Sequence, residues 1–443
     1  MAPPRPKVLH ALETSWLSRS LRASAAGAGM AARWAGGTAQ RLVSSSEASE
    51  RLRAVTQAAM AKRLAESLGQ LKGLAMKAGQ VASYMDFALP DAARAALAGL
   101  QDSTPPMAPA VVEKVVTEEL GRPPRELFSD WSDRPIAAAS IGQVHRARLP
   151  DGTDVAVKVQ YPGIARTFES DLASASLLDT LGSAVARGQE KGTLLAELRE
   201  RLLEECDYLI EARHQEEFRR LFADRDDLFV PAVFPAFSSR RVLTSRFVDG
   251  QRFAAFAAGA SQAEKNRAGE AIWDAAMGSI FVHGVFNADP HPGNYLFVEG
   301  KVALLDFGCV KRFEPAFLDR WRRLCLAGTV GDRATFDRLV VEIGFAPDPS
   351  NYDFDYHYRM TRTIYEPWIA ERFRFTPEFV ASTWRALVVD NPNKFRLNLP
   401  RDFLFVNRIQ WGLFSVLAAL GAESSWRRRF LPLLGEEGLA ALG

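Results

Sequence analysis

Apolar positions change their spacing along this chain, and each change predicts an element. Leu64, Leu68, Leu71, Ala75, Ala78, Ala82 and Met85 recur at intervals of four and three. That period predicts an amphipathic helix with small residues on its packing side. Gly73 and Gly79 fall inside it. A helix-interior glycine costs about 1 kcal/mol relative to alanine, so the pair implies close approach of another backbone or a ligand. Val144 to Arg148 and the run VAVKVQ from Val155 read as two strands joined across an Asp151-Gly152 turn. Leu194 to Leu221 returns to a helical pattern, Val302 to Leu305 is a short buried strand, and a further helical pattern starts at about Pro315. The longest apolar stretch, Ile409 to Ala422 (IQWGLFSVLAALGA), falls short of the roughly 18 residues needed to cross a bilayer. It reads as a buried helix.

Polar residues sit at the ends of these elements in a chemically coherent set. Phe286 to Phe297 reads FNADPHPGNYLF, and Lys301 to Gly308 reads KVALLDFG. Asp289 and Asn294 therefore lie just ahead of an Asp306-Phe307-Gly308 tripeptide. Kinase-type phosphoryl transfer uses such a set: one carboxylate positions a nucleophile, while an amide and a second carboxylate hold magnesium against the phosphates. Lys158 lies in the middle of VAVK. Alone it would be a solvent-facing strand residue, but with the downstream tripeptide it reads as the lysine that orients the α and β phosphates. Such a lysine needs a helical carboxylate, and the Leu194–Leu221 pattern offers Glu204, Glu205, Asp207 and Glu211. Glu205 and Glu211 cannot share one narrow helix face, so only one of them can serve.

The departures from a protein kinase carry as much information. Pro135 to Val144 reads PIAAASIGQV where a glycine-rich phosphate loop is expected, with Ala137, Ala138 and Ala139 in the turn and Gly142 as its single glycine. An alanine β-carbon disfavours positive φ and holds backbone amides away from phosphate oxygens. Asn287 and Ala288 replace the usual His-Arg before Asp289, and only a few residues from Cys309 separate Gly308 from the next helix. A long peptide-docking segment has no room there, which argues against protein substrates.

Taken together these motifs resemble the UbiB/AarF family of atypical kinase-like proteins, which act in coenzyme Q and related isoprenoid-lipid metabolism. The resemblance runs from about Leu64 to Phe313 through KAGQ (Lys77–Gln80), AAAS (Ala137–Ser140), VKVQYPG (Val157–Gly163), ECDY (Glu205–Tyr208), DPHPGN (Asp289–Asn294) and LLDFG (Leu304–Gly308). It implies that Lys77 and Gln80 lie on a helix covering the acceptor side of the site, faced by an ExD element of Glu205 and Asp207. Glu211 then pairs with Lys158. Ala137, Ala138, Ala139, Ser140, Gly142 and Val144 would contact ATP together with Lys158, while Asn294 and Asp306 would hold Mg2+ and Asp289 would position water or an acceptor hydroxyl.

The expected fold is α+β, a two-lobed protein-kinase-like arrangement with a helical N-terminal extension carrying the KxGQ motif. Residues 1–50 form a tail, 51–130 the extension, 131–250 the small lobe and 251–443 a helical large lobe, with adenine near Thr244 to Gly250. The chain's 443 residues and 47% apolar content suffice for two lobes and an extension. A net charge of +2 gives no nucleic-acid signal. Cys206, Cys309 and Cys325 make no metal spacing and no disulfide framework, which suits a reducing compartment. His291 is open to two roles, loop packing or a contact to phosphate or metal.

Thr14 to Ser46 lacks acids and holds Arg19, Arg22, Arg33 and Arg41. That composition suits a transit peptide, an interfacial helix or a flexible tail. Trp426 to Leu434 (WRRRFLPLL) reads either as a basic-aromatic patch for anionic lipid or as a solvated helix. The expected setting is cytoplasmic, peripheral at the inner membrane, or mitochondrial in a eukaryote. Expected partners are an isoprenoid lipid or quinone precursor, quinone-biosynthesis proteins and a second copy in a homodimer. Mg-dependent ATP hydrolysis is the expected activity; a small-molecule or lipid kinase and a non-catalytic nucleotide-gated scaffold are the alternatives.

Overall fold

A computed structural model of the chain describes residues 106–172, 199–200, 202–394, 396–398 and 400–442. The chain divides into two units: Met1–Ile210 with Val233–Phe247, the smaller in described residues, and Glu211–Ala232 with Val248–Gly443, the larger in described residues. Helix α1 (Pro109–Leu120) opens the described part of the smaller unit. Its first residue is a proline, whose missing N–H costs nothing at that position, and Gly121 closes it in the left-handed region. Strands β1 (Asp130–Trp131), β2 (Ala137–Ala139), β3 (Gly142–Arg148) and β4 (Asp154–Gln160) follow, then α2 (Ile164–Leu172) and α3 (Tyr208–Leu221). After β5 (Leu228–Phe229), β6 (Val242–Arg246) completes an antiparallel sheet ordered β1-β3-β4-β6, with β2 also paired to β3. The β3–β4 turn is the one the sequence predicted: Gly152 has φ +87° and Asp151 Oδ1 accepts from the Thr153 amide. On β4, Val155, Val157 and Val159 are buried, and strand alternation puts Lys158 on the opposite face.

Two local expectations are corrected. The alanines do not occupy a turn: Ala137 pairs with Val144 and Ala139 with Gly142, so they form a strand, and Ser140–Ile141 make the turn. The predicted Leu194–Leu221 helix is interrupted. Leu202–Glu204 are helical, the chain turns at Glu205 and Cys206, and α3 begins only at Tyr208. The sheet supplies the cause, because Gln160 Nε2 donates to the Cys206 carbonyl and the Tyr208 amide donates to the Arg240 carbonyl. The Thr244–Gly250 stretch, expected near adenine, contains a boundary between the two units, after Phe247. Thr244 itself lies fully buried in β6, with its hydroxyl donating to the Phe237 carbonyl.

The larger unit begins its C-terminal part with β7 (Gln251–Arg252), α4 (Phe253–Gly259) and the long helix α5 (Gln262–His283). Ser261 and Glu264 start α5 with a reciprocal capping box. Strands β8 (Val285–Asn287), β9 (Tyr295–Val298), β10 (Lys301–Leu304) and β11 (Val310–Arg312) come next, with orders β5-β10-β9-β7 and β8-β11. Helices α6 (Pro315–Val330), α7 (Arg333–Ile343), α8 (Phe354–Ile364), α9 (Pro377–Trp384) and α10 (Arg401–Leu420) pack with α5 around an aromatic core that includes Trp273, Phe375 and Phe414. Ile409, Leu413, Val416 and Leu417 are buried on α10, as a core helix requires. No described helix is long and apolar enough to cross a membrane. The WRRRFLPLL segment is not a basic-aromatic surface: Trp426, Phe430 and Leu431 are fully buried, and Trp426 stands 6.0 Å from Trp273. The expected tail and the helix predicted over Leu64–Met85 both fall outside the described residues.

Candidate active site

In the larger unit, β8 and β11 deliver two loops side by side. Asn287 pairs with Val310, and the Ala288 amide donates to the Cys309 carbonyl at 2.7 Å. The chain then runs through Asp289, Pro290 and His291 into a single turn at Pro292–Asn294. His291 settles into loop packing, its Nδ1 accepting from the Gly293 amide at 3.1 Å. The Asn294 amide nitrogen donates to the Asp289 carbonyl at 2.9 Å and to its carboxylate at 3.3 Å. Strands β9 and β10 carry the chain out and back, the Leu305 amide donates to the Asn294 carbonyl, and Asp306 emerges beside the first loop. Asp306 Oδ1 accepts from the Gly308 amide at 2.9 Å, a local turn that orients the carboxylate.

Helix α3 aligns a face on this second loop. Glu211, only 4% exposed, lies near Gly308: a β-carbon there would be 3.3 Å from Asp306 Oδ1 and 3.7 Å from Glu211 Oε2. Three residues on, His214 Nδ1 donates to the Phe307 carbonyl at 3.3 Å, and four further on the Phe218 ring stands 5.1 Å from the buried Phe307 ring. Glu217, from the neighbouring face, makes a two-pronged pair with Arg312, which holds its carboxyl below the usual range. Below the loops Tyr295 is buried, and burial together with the Asp289 charge raises its phenol pKa, so it stays neutral.

In the smaller unit Lys158 lies opposite Val144 on the β3–β4 ladder, its ammonium 5.0 Å from the centroid of the Tyr208 ring. Ala137, Ala138 and Ser140 are exposed and Ala139 half-buried. Gly142 is buried for a packing reason, since a β-carbon would sit 2.3 Å from the Val159 carbonyl oxygen and 2.9 Å from the Tyr208 hydroxyl. Glu205 is half-buried at the helix break, and Asp207 pairs with Arg240 at 3.4 Å while accepting from the Leu209 amide. Lys158 belongs to the smaller unit and Glu211 to the larger. Lys77 and Gln80 lie outside the described residues.

Residues 99–339, which include this whole set of loops and strands, match the ABC1 atypical kinase-like domain. The chain belongs to that family. This ABC1 chain is 31% identical over 368 residues to "Atypical kinase COQ8, mitochondrial" of Saccharomyces cerevisiae, covering 82% of the chain and 73% of the yeast protein. With "Atypical kinase COQ8B, mitochondrial" of Danio rerio it shares 30% identity over 382 residues, covering 84% of the chain but 60% of the fish protein. Among solved structures, Rv3197 of Mycobacterium tuberculosis, determined as a complex with erythromycin, is similar at TM-score 0.60 and 25% identity over 79% of this chain and 89% of that one. The α+β kinase-like fold and the UbiB-family membership expected from sequence both hold, and they place the ABC1 chain among kinase-like phosphotransferases.

The donor set fits magnesium. No group of three or more His, Cys, Asp or Glu is arranged for a metal among the described residues. Mg2+ asks for less: one or two carboxylates, with water and phosphate oxygens completing its shell. Asp306 and Asn294 offer hard oxygen donors on loops joined by the Leu305–Asn294 bond, and the Asn294 nitrogen is committed to Asp289, so its oxygen is the atom that would face a cation.

Three residues that sequence reading did not assign complete the site. Asn287 Nδ2 donates to the Asp306 carbonyl at 2.5 Å, so a residue that looked like a mere departure from His-Arg fastens the two loops. Its buried Oδ1 has no partner among the described residues, and Asn287 lines a cavity of about 30 Å³ with Phe218 and Phe307, room for about one water. His214 was signalled only by its three-residue spacing from Glu211. Gly412 on α10 carried no signal at all: a β-carbon there would fall 2.4 Å from Pro290 Cγ, so its absence lets α10 lie directly on the loop that carries Asp289.

Proposed function

We propose that this chain binds ATP with magnesium and transfers or hydrolyses its γ-phosphate in support of ubiquinone or other isoprenoid-lipid synthesis. The observation that carries the reading is the hydrogen-bonded set in the larger unit, where Asn294 is held on Asp289 and Asn287 on Asp306. Asp306 and Asn294 would hold the magnesium, which when bound neutralises charge on the β and γ phosphates. Asp289 would position the attacking water or hydroxyl. Lys158 would orient the α and β phosphates, with the alanine hairpin beside it. Lys77, Gln80, Glu205 and Asp207 take their roles from the family resemblance, as does the choice of a quinone precursor. The COQ8 names of the relatives support the quinone assignment, and a peripheral membrane location rests on the family resemblance alone.

The short stretch after Gly308 favours a small or lipid acceptor over a peptide. Cys309 leads into β11, and α6 starts at Pro315, so no extended segment intervenes for a polypeptide to dock on. The decisive experiment compares wild type with Asp306→Asn in Mg-dependent ATP hydrolysis and in thermal stabilisation by MgATP. Wild type should show both and the variant neither, with its fold retained. Equal stabilisation of the two proteins would place the metal elsewhere. Mass spectrometry of lipids incubated with enzyme and ATP separates the remaining options: a phosphorylated lipid marks a kinase, and ADP with unmodified lipid marks an ATPase.

A further inference from the structure

A second concavity, of about 570 Å³, opens at the other end of α5. Arg267, on its wall, is sixteen residues before His283, which is about 24 Å along a helix axis. The pocket shares no lining residue with the cavity under the catalytic loop.

Its walls are fixed by close packing. A β-carbon on Gly269 would fall 2.5 Å from the Ala422 β-carbon, so glycine lets the 421–425 segment press against α5. Gln262 Nε2 donates to the Gly421 carbonyl at 2.8 Å, and Asn266 Oδ1 accepts from the Glu423 amide at 2.9 Å. The residues facing the pocket include four arginines and two glutamates, a local charge of +2.

The carboxylates are already engaged. Glu270 takes Arg429 at 2.6 Å and the Ser424 hydroxyl, and Asp274 behind it takes Arg429 again at 2.6 Å. Glu423 takes Arg372 at 3.1 Å. Arg267 and Arg428 make no ion pair among the described residues, and both are exposed at the pocket. The lining also includes Ser425, whose buried hydroxyl has no hydrogen-bond partner among the described residues. Buried polar atoms are nearly always paired, so this hydroxyl marks a place for an acceptor.

We propose that this pocket binds a phosphate monoester, held by the Arg267 and Arg428 guanidiniums with the Ser425 hydroxyl donating to it. Planar guanidinium forks match phosphate oxygens two at a time. Two cations without an ion pair among the described residues balance the two charges of a phosphomonoester near neutral pH, and the volume admits the small molecule or headgroup that carries it. The ligand is either a soluble phosphorylated molecule or a phosphate-bearing lipid.

The test uses the full chain and two probes with the same phosphomonoester: free glycerol 3-phosphate by calorimetry, and phosphatidylcholine vesicles containing phosphatidic acid by flotation. Wild type should bind at least one probe. Arg267→Gln/Arg428→Gln should weaken that binding by about tenfold or more, the scale of losing charge-assisted hydrogen bonds, while retaining thermal stabilisation by MgATP. Asp306→Asn should bind the probe like wild type, which separates this site from the nucleotide site. Binding of the free probe assigns a soluble ligand, and binding of vesicles alone assigns a lipid headgroup. Binding of neither probe, or equal binding by the double variant and wild type, overturns the proposal.

Discussion

Gln143 Nε2 lies 2.7 Å from His145 Nε2, in a buried relay that runs from Ser132 to Met107. His145 Nδ1 is 2.8 Å from the Ser132 carbonyl, which can only accept, so Nδ1 carries the proton and Nε2 accepts from Gln143. The Gln143 oxygen then accepts from the Met107 amide at 2.8 Å. With its ring stacked on Trp131 at 4.9 Å, a neutral histidine anchors the first described residues to the small sheet.

That relay, together with His357, makes the fold acid-sensitive. Burial lowers the pKa of both histidines, His357 to about 4. Below the unfolded pKa of about 6.5 the unfolded chain binds more protons than the folded one, so stability present at neutral pH is lost as pH falls toward 4. For His357 the loss reaches about 2 kcal/mol by pH 5. Urea unfolding at pH 7 and pH 5 measures it, and His357→Asn should flatten the dependence. A wild-type midpoint that does not move would refute the linkage.

Gln143→Leu should release the Met107 end of the chain. It leaves the buried Met107 amide and His145 nitrogen without partners, each at about 1–3 kcal/mol. Hydrogen exchange at Met107 should accelerate while the Val155–Val159 ladder stays protected. Unchanged exchange at Met107 would mean that the relay anchors nothing.

Gly412→Ala opposes two effects of known size. Alanine gains about 1 kcal/mol of helix propensity over glycine, whereas overpacking typically costs about 1–3 kcal/mol. The β-carbon would meet Pro290 Cγ at 2.4 Å and the Pro290 carbonyl at 3.2 Å, so the loop carrying Asp289 must shift. The expected result is slower ATP turnover with no gain in melting temperature. A more stable, fully active variant would show that the loop yields without consequence.

At Asn287 the order of two substitutions is diagnostic. Asn287→Ala removes the donor to the Asp306 carbonyl, whereas Asn287→Asp replaces it with a charged acceptor facing that oxygen. Turnover should fall about tenfold for alanine, the scale of one lost hydrogen bond to a buried group, and further for aspartate. Equal turnover in both variants would reduce Asn287 to a spacer.

Much of this was legible in sequence because it is local. The Asp151-Gly152 turn, the Lys158 strand and the strand ending at Asp306 follow from turn chemistry and short-range alternation. The helix break at Glu205–Asp207 was not, because its cause is the donation by Gln160 and the reception by Arg240, residues 46 positions before Cys206 and about thirty after Tyr208. The alanines were misplaced for a related reason. Their small side chains suggested a turn by analogy, while the pairing partner Val144 decided for a strand. Gly412 and Pro290 are more than a hundred residues apart, and no pattern in either segment points to the other.

The loops carrying Asp289 and Asp306 are stitched together by Ala288 to Cys309, Leu305 to Asn294 and Asn287 to Asp306. Neither can open without breaking bonds that belong equally to the other, so they open cooperatively or not at all. The amides of Ala288 and Leu305 should therefore share one protection factor. A site closed by such mutual bonding has, between Gly308 and α6, no slack segment on which a covalent modification could act as a latch. Any regulation is then expected to act on what reaches the loops rather than on a segment beside them.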